Sequence, residues 1–176
     1  MVDLSFRFDR WYDRLPRSPQ DAGRVHRCVV RTGPGRRDTP EALVLAPGEG
    51  VAGDAWKDDP HGGPGNEVSL MNVHVLRSVA GGEERMALSG DNLQVDLDLS
   101  EANLPAGTRL EIGEVLLRVS EQPHRPCRRF VERFGATAAK RVARANRIGR
   151  RGRGVLCTVE RGGRLCVGDA IRVIRA

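Results

Sequence analysis

Apolar residues return along this chain with two rhythms, every second position and every third or fourth. Near the N-terminus Leu4, Phe8, Trp11 and Leu15 step by four, three and four, the repeat of one helical face, and Pro16 ends it. The stretches 24–31 (RVHRCVVR) and 41–47 (EALVLAP) read as strands, and 47–54 (PGEGVAGD) as turns. Residues 56–66 (WKDDPHGGPGN) are dense in glycine and proline and predict a loop. A short strand follows at 67–71. Asn72 is then placed to cap a helix carrying Val73, Leu76 and Val79, which Gly81-Gly82 stops.

The second half contains an echo. GTRLEIGEVLLRV (107–119) and GGRLCVGDAIRVI (162–174) align on Arg109 and Arg164, each a strand, a glycine turn and a further strand. The pattern predicts one corner used twice in a closed or strongly bent sheet. Residues 153–174 fit a closing hairpin turning at Gly162-Gly163. Between the echoes, PCRRFVERF (126–134) and ATAAKRVARANRI (136–148) read as helical, with Phe130 and Phe134 at i, i+4. The expected fold is mainly β with helical insertions, an α+β chain built on a closed or nearly closed β-barrel. It forms one domain over 1–176: a helical extension over 1–22, and a barrel core over 24–176 with a helical excursion at about 126–148.

Composition narrows the function classes. A chain of 176 residues buries enough core to fold without disulfide or metal. Aromatics are 4%, so the core is aliphatic. No apolar run reaches the length of a membrane span, and the charged N-terminus has no secretory h-region, so a cytoplasmic protein is expected. Cys28, Cys127, Cys157 and Cys166 form no C-x-x-C pair and are expected to be reduced. From Arg125 to Arg153 eleven Lys/Arg face one acid, Glu132, so this segment carries +10 and the remainder −4 of the net +6. Such a field suits an anionic partner: nucleic acid, a phosphorylated cofactor or an acidic protein surface.

The chemistry concentrates at QPHRPCRRF (122–130). Proline is tolerated at the first helical position, so Pro126 is expected to start a helix with Cys127 second. The free N–H groups there and Arg125, Arg128 and Arg129 favour thiolate over thiol, the form that attacks electrophiles, carries sulfur or ligates a soft metal. His124 is placed to act as its base or hydrogen-bond donor. The other cysteines alternate with aliphatic residues and are expected in the core. His61, near Asp54, Asp58 and Asp59, lies in a loop and reads as a solvated turn. No phosphate loop, nucleophile elbow or H-E-x-x-H motif occurs. Aromatics are too few in the basic segment for single-strand stacking, which makes nucleic acid the weaker reading.

The order of several pieces resembles the MOSC family, the domain named for the C-terminal part of molybdenum cofactor sulfurase. They are EGVAGDAW (49–56), NEVSLMN (66–72), LSGDNLQVDLDLSEANLPAGTRLEIGE (88–114), QPHRPCRRF (122–130) and RGRGVLCTVERGGRLCVGDAI (151–171). The resemblance is closest to small stand-alone bacterial members and implies a barrel that binds the molybdenum cofactor (molybdopterin) or sulfur destined for it. It implies Cys127 as sulfur carrier or molybdenum ligand. It places Asn92, with Asp91, Gly90 and Asp54, on the pterin side, and Arg125, Arg128 and Arg129 are expected to neutralise the phosphate and the thiolate. Some relatives reduce small N-hydroxylated substrates with electrons from redox partner proteins, which makes such a reaction the expected chemistry if the site is catalytic. Pyridoxal phosphate is not expected, because the sulfurase domain that binds it is absent here. The sequence departs from the family pattern in three places. Gly53-Asp54-Ala55-Trp56 lacks the arginine of G-D-R-(H/F), Asn66-Glu67 replace the Arg-Gln of R-Q-(V/I)-(S/T)-L, and Cys157-Thr158-Val159 replaces A-R-V. A member that keeps the thiol as a non-enzymatic carrier, or has lost the cofactor, is the alternative reading.

Overall fold

A computed structural model describes residues 10–175. After a helical stretch at residues 10–13 come the strands β1 (Ala22–Cys28), β2 (Val30–Gly33), β3 (Arg36–Asp38), β4 (Ala42–Ala46), β5 (Gly50–Val51) and β6 (Val68–Asn72). Helix α1 (Val73–Ala80), a 3-10 segment (Glu83–Ser89), β7 (Leu93–Asp96), β8 (Arg109–Ile112) and β9 (Val115–Val119) follow. The chain ends with α2 (Arg128–Arg147), β10 (Val155–Arg161), β11 (Gly163–Cys166) and β12 (Ala170–Ile174). Seven strands close into a barrel in the order β1-β12-β8-β9-β10-β6-β7, with β7 pairing back onto β1. Only the β6–β7 pair in it is parallel, and α1 and the 3-10 segment make that connection. β11-β4-β5 forms a small sheet, and β2-β3 a hairpin.

Alternation builds the barrel. Val115, Leu117 and Val119 in β9, and Val155, Cys157 and Val159 in β10, point inward and are buried. Each such aliphatic side chain contributes roughly 1.5–3 kcal/mol through burial. β6 is buried throughout because it separates two cores: Val68 and Leu70 face the barrel, whereas Met71 joins a second cluster with Leu76, Met86, Phe130 and Val142 under the helices. α1 starts where expected, since Asn72 Oδ1 accepts from His74 N (2.9 Å) and Val75 N (3.1 Å), and Gly81 ends it. Trp11 and Leu15 pack on the second cluster. Leu4 and Phe8 of that predicted face lie outside the described residues.

Three local expectations change. The strand read at 24–31 is two strands: Val29 N bonds to Asn92 O, and β2 leaves the barrel to pair with β3. The closing hairpin does not form, because both edges of β10 are taken by β9 and β6, so β11 pairs with β4 instead. For the same reason the echoes are not one corner used twice: β8 and β9 pair with each other, whereas β11 and β12 lie in different sheets. The helix over 128–147 is broken at Gly135, between the two stretches read as helical, where φ of 86° and ψ of 164° are open to glycine alone.

Candidate functional site

Proline at 123 and 126 keeps the chain after β9 out of a helix until Cys127. Contrary to expectation, Pro126 precedes the helix and Cys127 is its N-cap, with φ −97° and ψ 174°. Its carbonyl accepts from Phe130 N (3.0 Å) and Val131 N (3.2 Å), while its side chain makes no capping bond. The thiol is exposed and free. The neighbouring arginines diverge. Arg128 pairs with Glu132 at 2.8 Å and is 92% exposed; Arg129 reaches Asp59 across the 56–66 loop at 3.4 Å. Arg125 is exposed and lines a different cleft. One turn further on, Arg133 has Cys127 as its strongest electrostatic neighbour, and its Nη1 donates to Leu88 O at 2.9 Å.

A second group of polar side chains is buried. Arg153 Nη1 donates to both oxygens of Asp91 (2.8 and 2.7 Å), and its guanidinium stacks 4.9 Å over the Phe130 ring. Burial is the largest influence on Asp91 and opposes its charge, but Arg153, His124 and the Ser89 hydrogen bond together outweigh it, so the carboxyl stays below its usual range. His124 Nδ1 stands 3.8 Å from Asp91 Oδ1, beyond hydrogen-bond range. Burial first, then Arg153, push His124 down to about 3, with Asp91 opposing, so the imidazole is neutral near pH 7. His124 Nδ1 and Arg153 Nε are both buried without a hydrogen-bond partner.

The remaining predicted residues form a second network. Asp54 accepts from Arg31 N (2.8 Å), Nε (3.0 Å) and Nη2 (2.6 Å), from Trp56 N (2.9 Å) and from Asn92 Nδ2 (3.1 Å). Asn92 is fully buried; its Nδ2 also reaches Val29 O (3.3 Å), and its Oδ1 accepts from Ser69 N (3.2 Å). Asp54 and Asn92 therefore hold the frame and orient Arg31. Gly90, with φ 75°, lies against the guanidinium of Arg37, where an added Cβ would stand 3.2 Å from Arg37 Nε and 3.6 Å from Arg31 Cδ.

Reading the sequence missed Arg31, Arg37, Arg133 and Arg153. Arg31 and Arg37 are cross-strand partners in the β2–β3 hairpin, an arrangement that repels unless an anion offsets it. Burial, and then Arg133 and Arg31, lower Arg37 to about 10, and its Nε is buried without a partner. Among the described residues neither Arg37 nor Arg133 has a carboxylate partner. The only local signal was RTGPGRR (31–37), arginines on both sides of a tight turn. The two departures at Trp56 and Asn66 meet: Trp56 Nε1 donates to Asn66 Oδ1 at 2.8 Å, and Asn66 also ties Gly63 N and His61 O, ordering the loop. Glu67 Oε2 accepts from Val159 N at 2.9 Å. Among the described residues no three His, Cys, Asp or Glu side chains converge on a metal position.

A family model described as "MOSC domain" matches residues 57–172. Among solved structures the fold is similar to the YuaD protein from Bacillus subtilis, with a TM-score of 0.64 and 19% identity over 86% of this chain and 95% of that one. It is similar to YiiM from Escherichia coli, with a TM-score of 0.58 and 22% identity over 87% of this chain and 70% of that one. YiiM from Geobacillus stearothermophilus gives 0.56 and 16%, over 87% and 75%. No curated protein matches the chain.

Proposed function

The chain belongs to the MOSC domain family, and from that premise we propose that it holds the molybdenum–pterin cofactor, or sulfur destined for it, against Cys127. One observation carries this reading: Arg37 stands among its cross-strand partner Arg31 and Arg133, the latter a neighbour of the exposed thiol, with no carboxylate on Arg37 or Arg133 and with Arg37 Nε unpaired. Crowded, half-buried guanidiniums cost stability, and an anionic ligand offsets that cost. The residues thus fit a phosphate-bearing group. Arg37 and Arg133 would hold the phosphate, Gly90 would let it approach the backbone, and Asp54 with Asn92 would keep Arg31 aimed. Cys127 would supply the sulfur. Neutral His124, with a free ring nitrogen, would hold a proton beside it. When bound, the cofactor supplies two-electron reduction of an N–O bond in an N-hydroxylated base or amidoxime, with electrons from a partner protein.

Metal and pterin analysis of protein from a molybdenum-competent host tests this. Near-stoichiometric molybdenum and pterin, with molybdenum lost in Cys127→Ser and pterin lost in Arg37→Ala, is the expected result. Absence of both from the parent chain removes the cofactor reading. The exposure of Cys127 favours a second reading, a sulfur or cofactor carrier without turnover, since a partner protein can reach the thiol directly. Such a carrier accepts sulfur from a cysteine desulfurase as a persulfide on Cys127, seen as a 32 Da gain absent in Cys127→Ser. Nucleic-acid binding remains the weaker reading, because Phe130 is buried under Arg153 and offers no stacking face. Among the described residues no helix is long and apolar enough to cross a membrane.

A further inference from the structure

We propose that the cleft between segment 120–126, α2 and the start of β10 is a separate ligand site, built for an organic anion with an apolar body. The cleft encloses about 740 Å³, within the range of small-molecule sites. His124 and Pro126 line it, so it adjoins the thiol's segment, but neither Cys127 nor Arg31, Arg37 or Arg133 lines it, and its cations are not those of the cluster described above.

Its walls break the barrel's own pattern. On β10 the inward residues are buried and the outward ones are Leu156, Thr158 and Glu160, with Glu160 paired to Arg109. An outward strand position is normally polar. Leu156 is the apolar exception, and it lines the cleft, half-buried, opposite Ala143 of α2 and Pro123. The small side chain at Ala143 leaves the volume open, because the helix presents a methyl group where a larger residue would reach the strand.

Charge supplies the other half of the ligand. Lys140, Ala143 and Arg147 are spaced by three and four, so two cations flank the apolar wall on one helical face. Arg125 faces them from the loop. Among the described residues none of these three cations has an ion-pair partner. Arg151 also lines the cleft, but its Nη1 is spent on Leu104 O at 2.6 Å. The four cations outnumber the two acids, Glu101 and Glu121. An aromatic or alkyl group bearing one carboxylate, sulfonate or phosphate matches both features: its body covers Leu156 and Ala143, and its charge meets Lys140 and Arg147.

The test uses the whole chain and the dye anilinonaphthalene sulfonate, with uncharged N-phenylnaphthylamine as its partner probe. The sulfonate is expected to bind one saturable site on the folded protein and more tightly than the neutral dye. Lys140→Glu with Arg147→Glu should weaken it about tenfold, and Ala143→Phe should abolish it by filling the cleft. If Ala143→Phe does not fold, Leu156→Gln serves the same purpose. Arg37→Ala, which disables the proposed cofactor cradle, should leave the dye bound, so failure of one site is told apart from failure of the other. No saturable binding, equal affinity for the neutral dye, or binding untouched by the cleft variants overturns the proposal.

Discussion

Asn92 Nδ2 donates to Asp54 Oδ2 at 3.1 Å, joining two residues 38 positions apart in sequence. Each comes from a different family motif, yet they form one buried unit that also fixes Arg31. Asn92→Ala removes two donors and leaves Ser69 N and Val29 O without a side-chain partner. Orphaned buried polar groups cost about 1–3 kcal/mol each, so a loss of about 2–4 kcal/mol is expected. Urea denaturation checks it. An unchanged midpoint would mean that the network contributes nothing to folding.

The Asp91–Arg153 pair predicts strong coupling. Both side chains are buried, at 1% and 6% exposure, so removing one partner strands a charge. Asp91→Ala is expected to cost about 3–5 kcal/mol, and Asp91→Ala with Arg153→Met much less than the sum of the single changes. A double-mutant cycle in denaturant measures this, and additive losses would contradict the pairing.

Acid sensitivity should begin at the histidine. His124 falls from about 6.5 in the unfolded chain to about 3 when folded. Between those values the unfolded state binds the extra proton, so stability rises with pH there and is lost as pH falls. Its contribution is complete above about pH 6.5 and declines by up to about 1.4 kcal/mol per pH unit toward pH 3. Unfolding free energies from pH 7.5 to pH 5 should drop in the parent chain and flatten in His124→Gln.

Thiol accessibility separates the cysteines. Cys28 and Cys157 are fully buried, and burial pushes both thiols up to about 12. An alkylating reagent on native protein should modify Cys127 first and leave Cys28 and Cys157 untouched until denaturant is added. Peptide mapping reads the order. Early modification of Cys157 would mean the barrel opens readily.

Most strands and the start of α1 were legible because their signals are local. Alternation at Val155, Cys157 and Val159 and the cap at Asn72 before Val73 each lie within one element's length. Strand partners were not legible. The glycines at 162 and 163 look like a hairpin turn whichever sheet receives β11, and only the closed barrel, with both edges of β10 occupied, sends it to β4. Likewise Pro126 looked like a first helical residue, whereas the extended backbone at Cys127 moved the start by two positions.

The sequence by itself determined that this chain is a β-rich barrel former of the MOSC type, with one distinctive thiol behind a proline in a basic segment. Those properties follow from the order and period of neighbouring residues. Tertiary structure alone decided which cations stand near that thiol. Arg128, the residue next to it, turns to solvent and pairs with Glu132, whereas Arg133 and the hairpin arginines Arg31 and Arg37 make the cluster. Electrostatic energy depends on distance in space, and folding sets that distance for residues nearly a hundred positions apart, about which local order carries no information.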